Sequence, residues 1–201
     1  MAEKYPPALA EIINILKTLP GVGKRSAERM ALTMLKWPKD KLKALGRGLE
    51  TLKEKVTDCP QCGNLSTDNQ LCAICSAPGR NNSMLCVVEE STQIFSIEAS
   101  GLYHGFYHVL GGKLSPLEGR NADNLNINSL LERLADGPVK EVIIALSPDV
   151  EGQATAIYIS ELMQKYDLKI TRLAQGLPAG SDISYADSAT IAAAFNGRVS
   201  L

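Results

Sequence analysis

The sequence predicts an α+β chain of several modules: a helical head, a four-cysteine metal module, and a C-terminal α/β domain on a mostly parallel sheet. Three observations predict it. Apolar residues recur at helical spacing through the first 56 residues. Two Cys-x-x-Cys pairs then follow within residues 59–75. From residue 84 onward, short apolar runs alternate with helical patterns, the rhythm of parallel strands joined by crossover helices. Of the 201 residues, 45% are apolar and 21% charged, a globular composition that excludes a disordered chain. No run approaches the roughly eighteen apolar residues of a membrane span, and the first nine residues lack a signal peptide's apolar stretch, so a cytoplasmic protein is expected.

Each element has its own signal. Leu9, Ile12, Ile13 and Leu16 follow the i, i+3, i+4, i+7 template after Pro6-Pro7, and Pro20-Gly21 end that helix. A second amphipathic helix runs from about 24 to 36 and stops at Trp37-Pro38. A third carries Leu42, Leu45, Leu49, Leu52 and Val56 as far as the first cysteine pair, although Gly46 and Gly48 weaken it. Residues 84–89, 106–110, 141–146 and 169–174 read as strands, and 92–99, 124–135 and 151–166 as helices between them. Residues 175–187, rich in Gly, Pro and Ser, form a loop before a short Ala-rich helix at 188–195. The expected modules are 1–56, 57–79, 80–175 and 176–201.

The net charge of −1 conceals a division: residues 1–57 carry +6 and residues 58–201 carry −7. A basic head points to an anionic partner such as nucleic acid, although on charge alone a solvated basic helical face is the better account. The turn between the first two helices narrows the choice. Leu19-Pro20-Gly21-Val22-Gly23-Lys24-Arg25-Ser26-Ala27 offers two glycines for positive φ and close backbone approach, with Val22 buried between the helices. The second helix then presents unpaired N–H groups and the positive end of its dipole, flanked by Lys24 and Arg25. This suits a phosphate and cannot read a base, so binding is expected to be sequence-independent and salt-sensitive. Gly21, Gly23, Lys24 and Arg25 are the candidate DNA-binding residues, and the segment resembles the helix–hairpin–helix of DNA repair proteins. A nucleotide-binding P-loop is excluded, because Arg25 stands where a Ser or Thr must hold magnesium.

Cys59-Pro60-Gln61-Cys62 and Cys72-Ala73-Ile74-Cys75 form two knuckles nine residues apart. Together Cys59, Cys62, Cys72 and Cys75 supply four thiolates to a tetrahedral site with no open position, so one structural zinc ion per chain is expected. A redox pair would need no second copy. So short a segment holds too few apolar residues to fold alone, and metal binding is expected to supply much of its stability. Cys86, in an apolar strand, is expected to be a packing residue, and His104 and His108 to be structural.

Glu89 ends the first strand of the α/β domain, and Ser147-Pro148-Asp149-Val150-Glu151-Gly152 leaves the third to open a helix. Ligand sites of parallel sheets gather at the carboxyl ends of strands, which can bring these acids into one crevice. The arrangement resembles the Toprim fold, in which a strand-end Glu and an Asp-x-Asp pair hold magnesium. Here Ser147 replaces the first Asp, which weakens a site for a hard cation. The crevice is therefore read as a degenerate, non-catalytic acidic patch, with Glu89, Asp149 and Glu151 as candidates for meeting a basic partner. The alternative is a magnesium-dependent Toprim-type nuclease.

Helix–hairpin–helix, four-cysteine module and Toprim segment, in that order over essentially the whole chain, resemble the bacterial RecR family of recombination mediators. The stretch Tyr107-His108-Val109-Leu110-Gly111-Gly112-Lys113-Leu114-Ser115-Pro116-Leu117 is similar to a family signature, as are Pro148–Gly152 and Gly176–Gly180. The sequence departs at Arg120-Asn121-Ala122, where the family has a Gly-Ile-Gly-like turn, and at Gln175, often Arg. The resemblance implies no catalysis and no small-molecule substrate. It implies a homotetramer ring that encircles DNA (single-stranded, gapped or duplex) and works with RecO and RecF to help load RecA on single-stranded DNA at gaps. It also implies RecO contact through the acidic Toprim residues, and a cytoplasmic protein that joins the nucleoid during repair.

Overall fold

The computed structural model describes residues 5–135 and 137–199, and the chain divides into two units at Lys55/Val56. In the first unit, α1 (Pro7–Leu16) starts on Pro6-Pro7, whose fixed φ suits a first turn, and α2 (Lys24–Leu35) runs back against it. Ile13 of α1 packs on Ala27 and Ala31 of α2, with Leu9, Leu16 and Val22 around them. The two alanines lie four apart on one helix face, so the helices can approach closely there.

The third helix differs from its sequence expectation. α3 (Lys39–Glu50) ends at Thr51, a one-turn α4 (Leu52–Lys55) follows, and Val56 already belongs to a strand. No residue of α3 is buried among the described residues, which explains why Gly46 and Gly48 are accommodated without a packing partner.

The second unit begins with a hairpin that the sequence reading missed, β1 (Val56–Asp58) antiparallel to β2 (Leu65–Thr67). Its strands are three residues each and lack an apolar face, so the alternation rule gave no signal. The first cysteine knuckle sits in the loop between them.

Four further strands, β3 (Asn81–Val88), β4 (Gly105–Val109), β5 (Glu141–Ile144) and β6 (Lys169–Arg172), form one sheet in the order β4-β3-β5-β6. Every pairing in it is parallel. Both faces are covered, as parallel sheets require. Leu85, Val87, Val142 and Ile144 face α6 (Ile127–Ala135) and α7 (Val150–Met163), whose Leu130, Leu134, Ile159 and Met163 complete that core. The alternate residues Cys86, Val88, Tyr107 and Val109 pack beneath α5 (Ser91–Ala99) around Ile94. Cys86 is buried there, and its thiol is pushed up to about 12 by burial. Beyond the sheet, residues 176–187 hold a short 3-10 turn and lead to α8 (Ser188–Asn196), capped by the Asp187 carboxylate on the Thr190 N–H.

Candidate functional site

Three groups of candidate residues are placed by these elements. The first lies at the α1–α2 turn. Its backbone is closed by Val22 N–H donating to Leu19 C=O, and Gly21 sits at φ +75, a conformation that disfavours a side chain. Gly23 differs from the sequence expectation: its φ is −77, so only Gly21 needs the left-handed region. No atom of the described residues lies near where a Cβ would project from either glycine, so the turn's outer surface is open. Val22 is half-buried against the α1–α2 core, not fully enclosed. Gly23 N-caps α2 without any side-chain acceptor, leaving the first N–H groups of that helix unclaimed by a cap. Lys24 and Arg25, both exposed, stand at this N-terminus, where the helix dipole adds positive potential.

The second group is a four-cysteine centre. The Sγ atoms of Cys59, Cys62, Cys72 and Cys75 all lie within 4.8 Å of one another, and Cys62 and Cys72 are 3.6 Å apart. A tetrahedral metal bonded to sulfur at about 2.3 Å needs sulfur–sulfur edges of roughly 3.8 Å, so the cluster fits such an ion. Backbone amides already point at the sulfurs: Asn64 N–H donates to Cys62 Sγ and Cys72 N–H to Cys59 Sγ, each at 3.4 Å. Burial raises the Cys59 thiol, yet the amides of Cys72, Gln61 and Cys62 outweigh it and bring the group down to about 7. The hydrogen bond with Cys75, together with burial, pushes Cys62 the other way, and burial raises Cys72. A dication would reverse those upward shifts, since it demands thiolates.

This centre is docked on the sheet. Val109 N–H of β4 donates to Cys62 C=O at 2.8 Å, and Ser91 Oγ of α5 donates to Gly63 C=O. Ile74, between the second pair of cysteines, packs both on the cysteine cluster and on the α5 face of the sheet. The connection to β3 is held by Arg80, whose guanidinium grips Glu98 of α5 with two bonds of 2.7 and 3.0 Å and donates to Gly105 C=O.

The third group is the crevice at the carboxyl ends of β3 and β5. Glu89 is only 7% exposed, and both of its oxygens accept from Ser147, one from the backbone N–H at 2.6 Å and one from the hydroxyl at 3.0 Å. Ser147 therefore fixes the turn after β5 to the end of β3. Asp149 caps α7, its Oδ1 accepting the Gly152 N–H at 2.7 Å, and its Oδ2 takes the Lys113 ammonium at 2.5 Å. Lys113, first, and the Gly152 amide hold the Asp149 carboxyl below the usual range. Glu151 Oε1 accepts from Ser115 Oγ at 2.5 Å. The buried hydroxyl of Thr155 ties the loop to the helix: it donates to Glu151 C=O and accepts the Leu114 N–H.

The structure thus brings Glu89, Asp149 and Glu151 to one edge of the sheet. It also gives each a partner that sequence reasoning missed. Lys113 and Ser115 lie 36 residues from Asp149 and Glu151, beyond any helical or strand spacing. The only available signal was a lysine lodged in an otherwise uncharged signature stretch.

A glycine-turned helix pair, a four-cysteine metal centre and a strand-end acidic crevice in one chain define a nucleic-acid-handling protein of modular build. Comparison with known families agrees segment by segment. The RecR helix-hairpin-helix matches residues 9–53, the RecR four-cysteine zinc finger domain 56–77, the Toprim domain 83–174 and the RecR C-terminal region 176–199. Recombination protein RecR of Moorella thermoacetica is 44% identical over 194 residues, 96% of this chain and 97% of that protein. Its namesakes from Bifidobacterium adolescentis and Carboxydothermus hydrogenoformans are 44% and 45% identical over 98% and 96% of this chain, and 98% and 97% of theirs. The chain belongs to the RecR family of recombination proteins, which gives it a role in DNA recombination and repair. No described helix is long and apolar enough to cross a membrane.

Proposed function

We propose that this chain is a non-catalytic DNA-binding clamp and adaptor, acting with RecO and RecF to help load RecA on single-stranded DNA at gaps. The observation that carries the reading is the uncapped N-terminus of α2 beside Gly21, Lys24 and Arg25. Amides and cations together grip a phosphate and are blind to sequence, so single-stranded, gapped and duplex DNA all qualify as ligands. One hairpin makes few phosphate contacts. A homotetramer ring gathers four, and its strength comes from the effective concentration of the later contacts. Cys59, Cys62, Cys72 and Cys75 hold one zinc ion, closed on all four positions and structural.

The acidic crevice serves as the partner surface for RecO, with Asp149 and Glu151 facing the partner and Glu89 holding the turn that presents them. Support comes from the hydrogen bonds that engage each acid and from Ser147 in place of a metal-binding carboxylate. Such a role belongs to the cytoplasm, on the nucleoid during repair.

The test is Lys24→Ala with Arg25→Ala. DNA affinity at moderate salt is expected to vanish, and the slope of log K against log salt to fall by about 2 per hairpin, while zinc content and assembly mass stay constant. Undiminished binding by the double variant removes the hairpin from the reading. Asp149→Ala or Glu89→Ala is expected to weaken RecO association and leave DNA binding alone; an unchanged affinity for RecO removes the partner surface.

A further inference from the structure

We propose that Lys113 is a tethered counter-ion, its ammonium filling the cation position of the acidic crevice and excluding divalent metal from it. The position is built rather than incidental. Lys113 sits two residues before Ser115, on a loop pinned to α7 by the Leu114 N–H on Thr155 Oγ1 at 2.9 Å. Its side chain is only 21% exposed, and its Nζ donates to Asp149 Oδ2 at 2.5 Å. The Asp149 bond, first, and the charges of Glu89, Asp149 and Glu151 raise the Lys113 ammonium, so all three acids act on one cation.

Four of the other five carboxylate oxygens are already assigned to the fold. Glu89 gives both to Ser147, Asp149 gives Oδ1 to the start of α7, and Glu151 gives Oε1 to Ser115. A hard dication needs about six oxygen ligands, several of which water supplies, and at least one carboxylate turned toward it. In this crevice the one carboxylate oxygen aimed outward from the α7 cap is held by an ammonium. Removing that ammonium leaves three acids at a sheet edge without a covalently attached counter-charge, which is the setting in which a dication from solution binds. The proposal concerns the charge balance of the crevice and is independent of which protein docks there.

The experiment uses the full-length, zinc-loaded chain and Mn2+ alone as the probe, with free ion read by electron paramagnetic resonance. Lys113→Met and Lys113→Gln are expected to bind one Mn2+ per chain about tenfold or more tightly than the parent, since such affinities follow the net ligand charge. Adding Asp149→Asn is expected to abolish the gain. Two charge-removing variants are used so that a fold defect in one, seen in its circular dichroism, leaves the other to answer. The proposal is overturned if the parent binds Mn2+ as tightly as the variants, if neither variant gains a site, or if the gain survives Asp149→Asn. Loss of RecO binding on Asp149→Ala bears only on the partner surface, so the two readings fail separately.

Discussion

Acid should loosen this protein through a single buried imidazole. His108, in the middle of β4, is 2% exposed; its Nε2 meets Asn126 C=O at 2.8 Å, and its Nδ1 has no partner among the described residues. Burial pushes its pKa from 6.5 down to about 4, the Asn126 carbonyl opposes this, and the Arg133 guanidinium of α6 lowers it further. The neutral form is therefore the folded one, and the sign follows. Above pH 6.5 neither state binds a proton and the full stability is present; as pH falls toward 4, only the unfolded chain gains one. Each pH unit between those two values is worth about 1.4 kcal/mol, so the loss approaches about 3 kcal/mol in total and is about 2 kcal/mol by pH 5. His108→Gln keeps a donor for Asn126 and cannot titrate. Urea unfolding followed by far-ultraviolet circular dichroism at pH 7.5, 6 and 5 gives the pH-dependent part as parent minus variant, cancelling the carboxylates. Fluorescence of the sole tryptophan, Trp37, is the wrong probe, because it reports on the other folding unit. A parent-minus-variant difference that stays flat from pH 7.5 to 5 would refute the reasoning.

Two further perturbations test the fold around the sites. Chelating the metal, or Cys72→Ser, should unfold residues 56–77, because three-residue strands hold no core and structural zinc supplies about 10 kcal/mol or more to such modules. Hydrogen exchange should rise across that segment and stay low in β3 and β5, and uniform protection without metal would contradict this. Gly152→Ala should cost about 1–3 kcal/mol, since the new Cβ would collide with the Ser147 carbonyl oxygen in the first turn of α7. An unchanged urea midpoint would show that the turn yields freely.

What was legible in the sequence was whatever depends on short-range periodicity. The i, i+3, i+4 spacing of Leu9, Ile12, Ile13 and Leu16 located α1, and only Ile13 of that set is fully buried, so the pattern marked a helix better than it marked a core. The apolar runs within β3, β4 and β5 located the parallel sheet because both of its faces are covered there, while β6, Lys-Ile-Thr-Arg with exposed ends, carries only a short apolar signal. The cysteines were legible for a different reason: ligand spacing is set by the geometry of one metal ion, which tolerates little variation. What stayed hidden has no local pattern. The β1–β2 hairpin is held by backbone bonds and the knuckle, not by an apolar face, and Gly23 was read as a positive-φ glycine although its extended backbone suits any residue. The partners of Asp149 and Glu151 lay across the fold.

Ser147 and Lys113 are best understood as one electrostatic change. A second carboxylate at position 147 would face Glu89 at hydrogen-bond distance, and two such groups can share that space only around a cation or with one of them protonated. Serine turns that repulsion into two donated bonds, with the backbone and hydroxyl of one residue satisfying both Glu89 oxygens. That leaves Asp149 and Glu151 on the outer side, where an ammonium from the neighbouring loop meets the first and a hydroxyl the second. The edge of a sheet that would otherwise need a cation or a proton to hold its acids together is thus held by the chain's own donors. It stays rigid and net negative, the kind of surface that the proposed contact with a basic protein partner calls for.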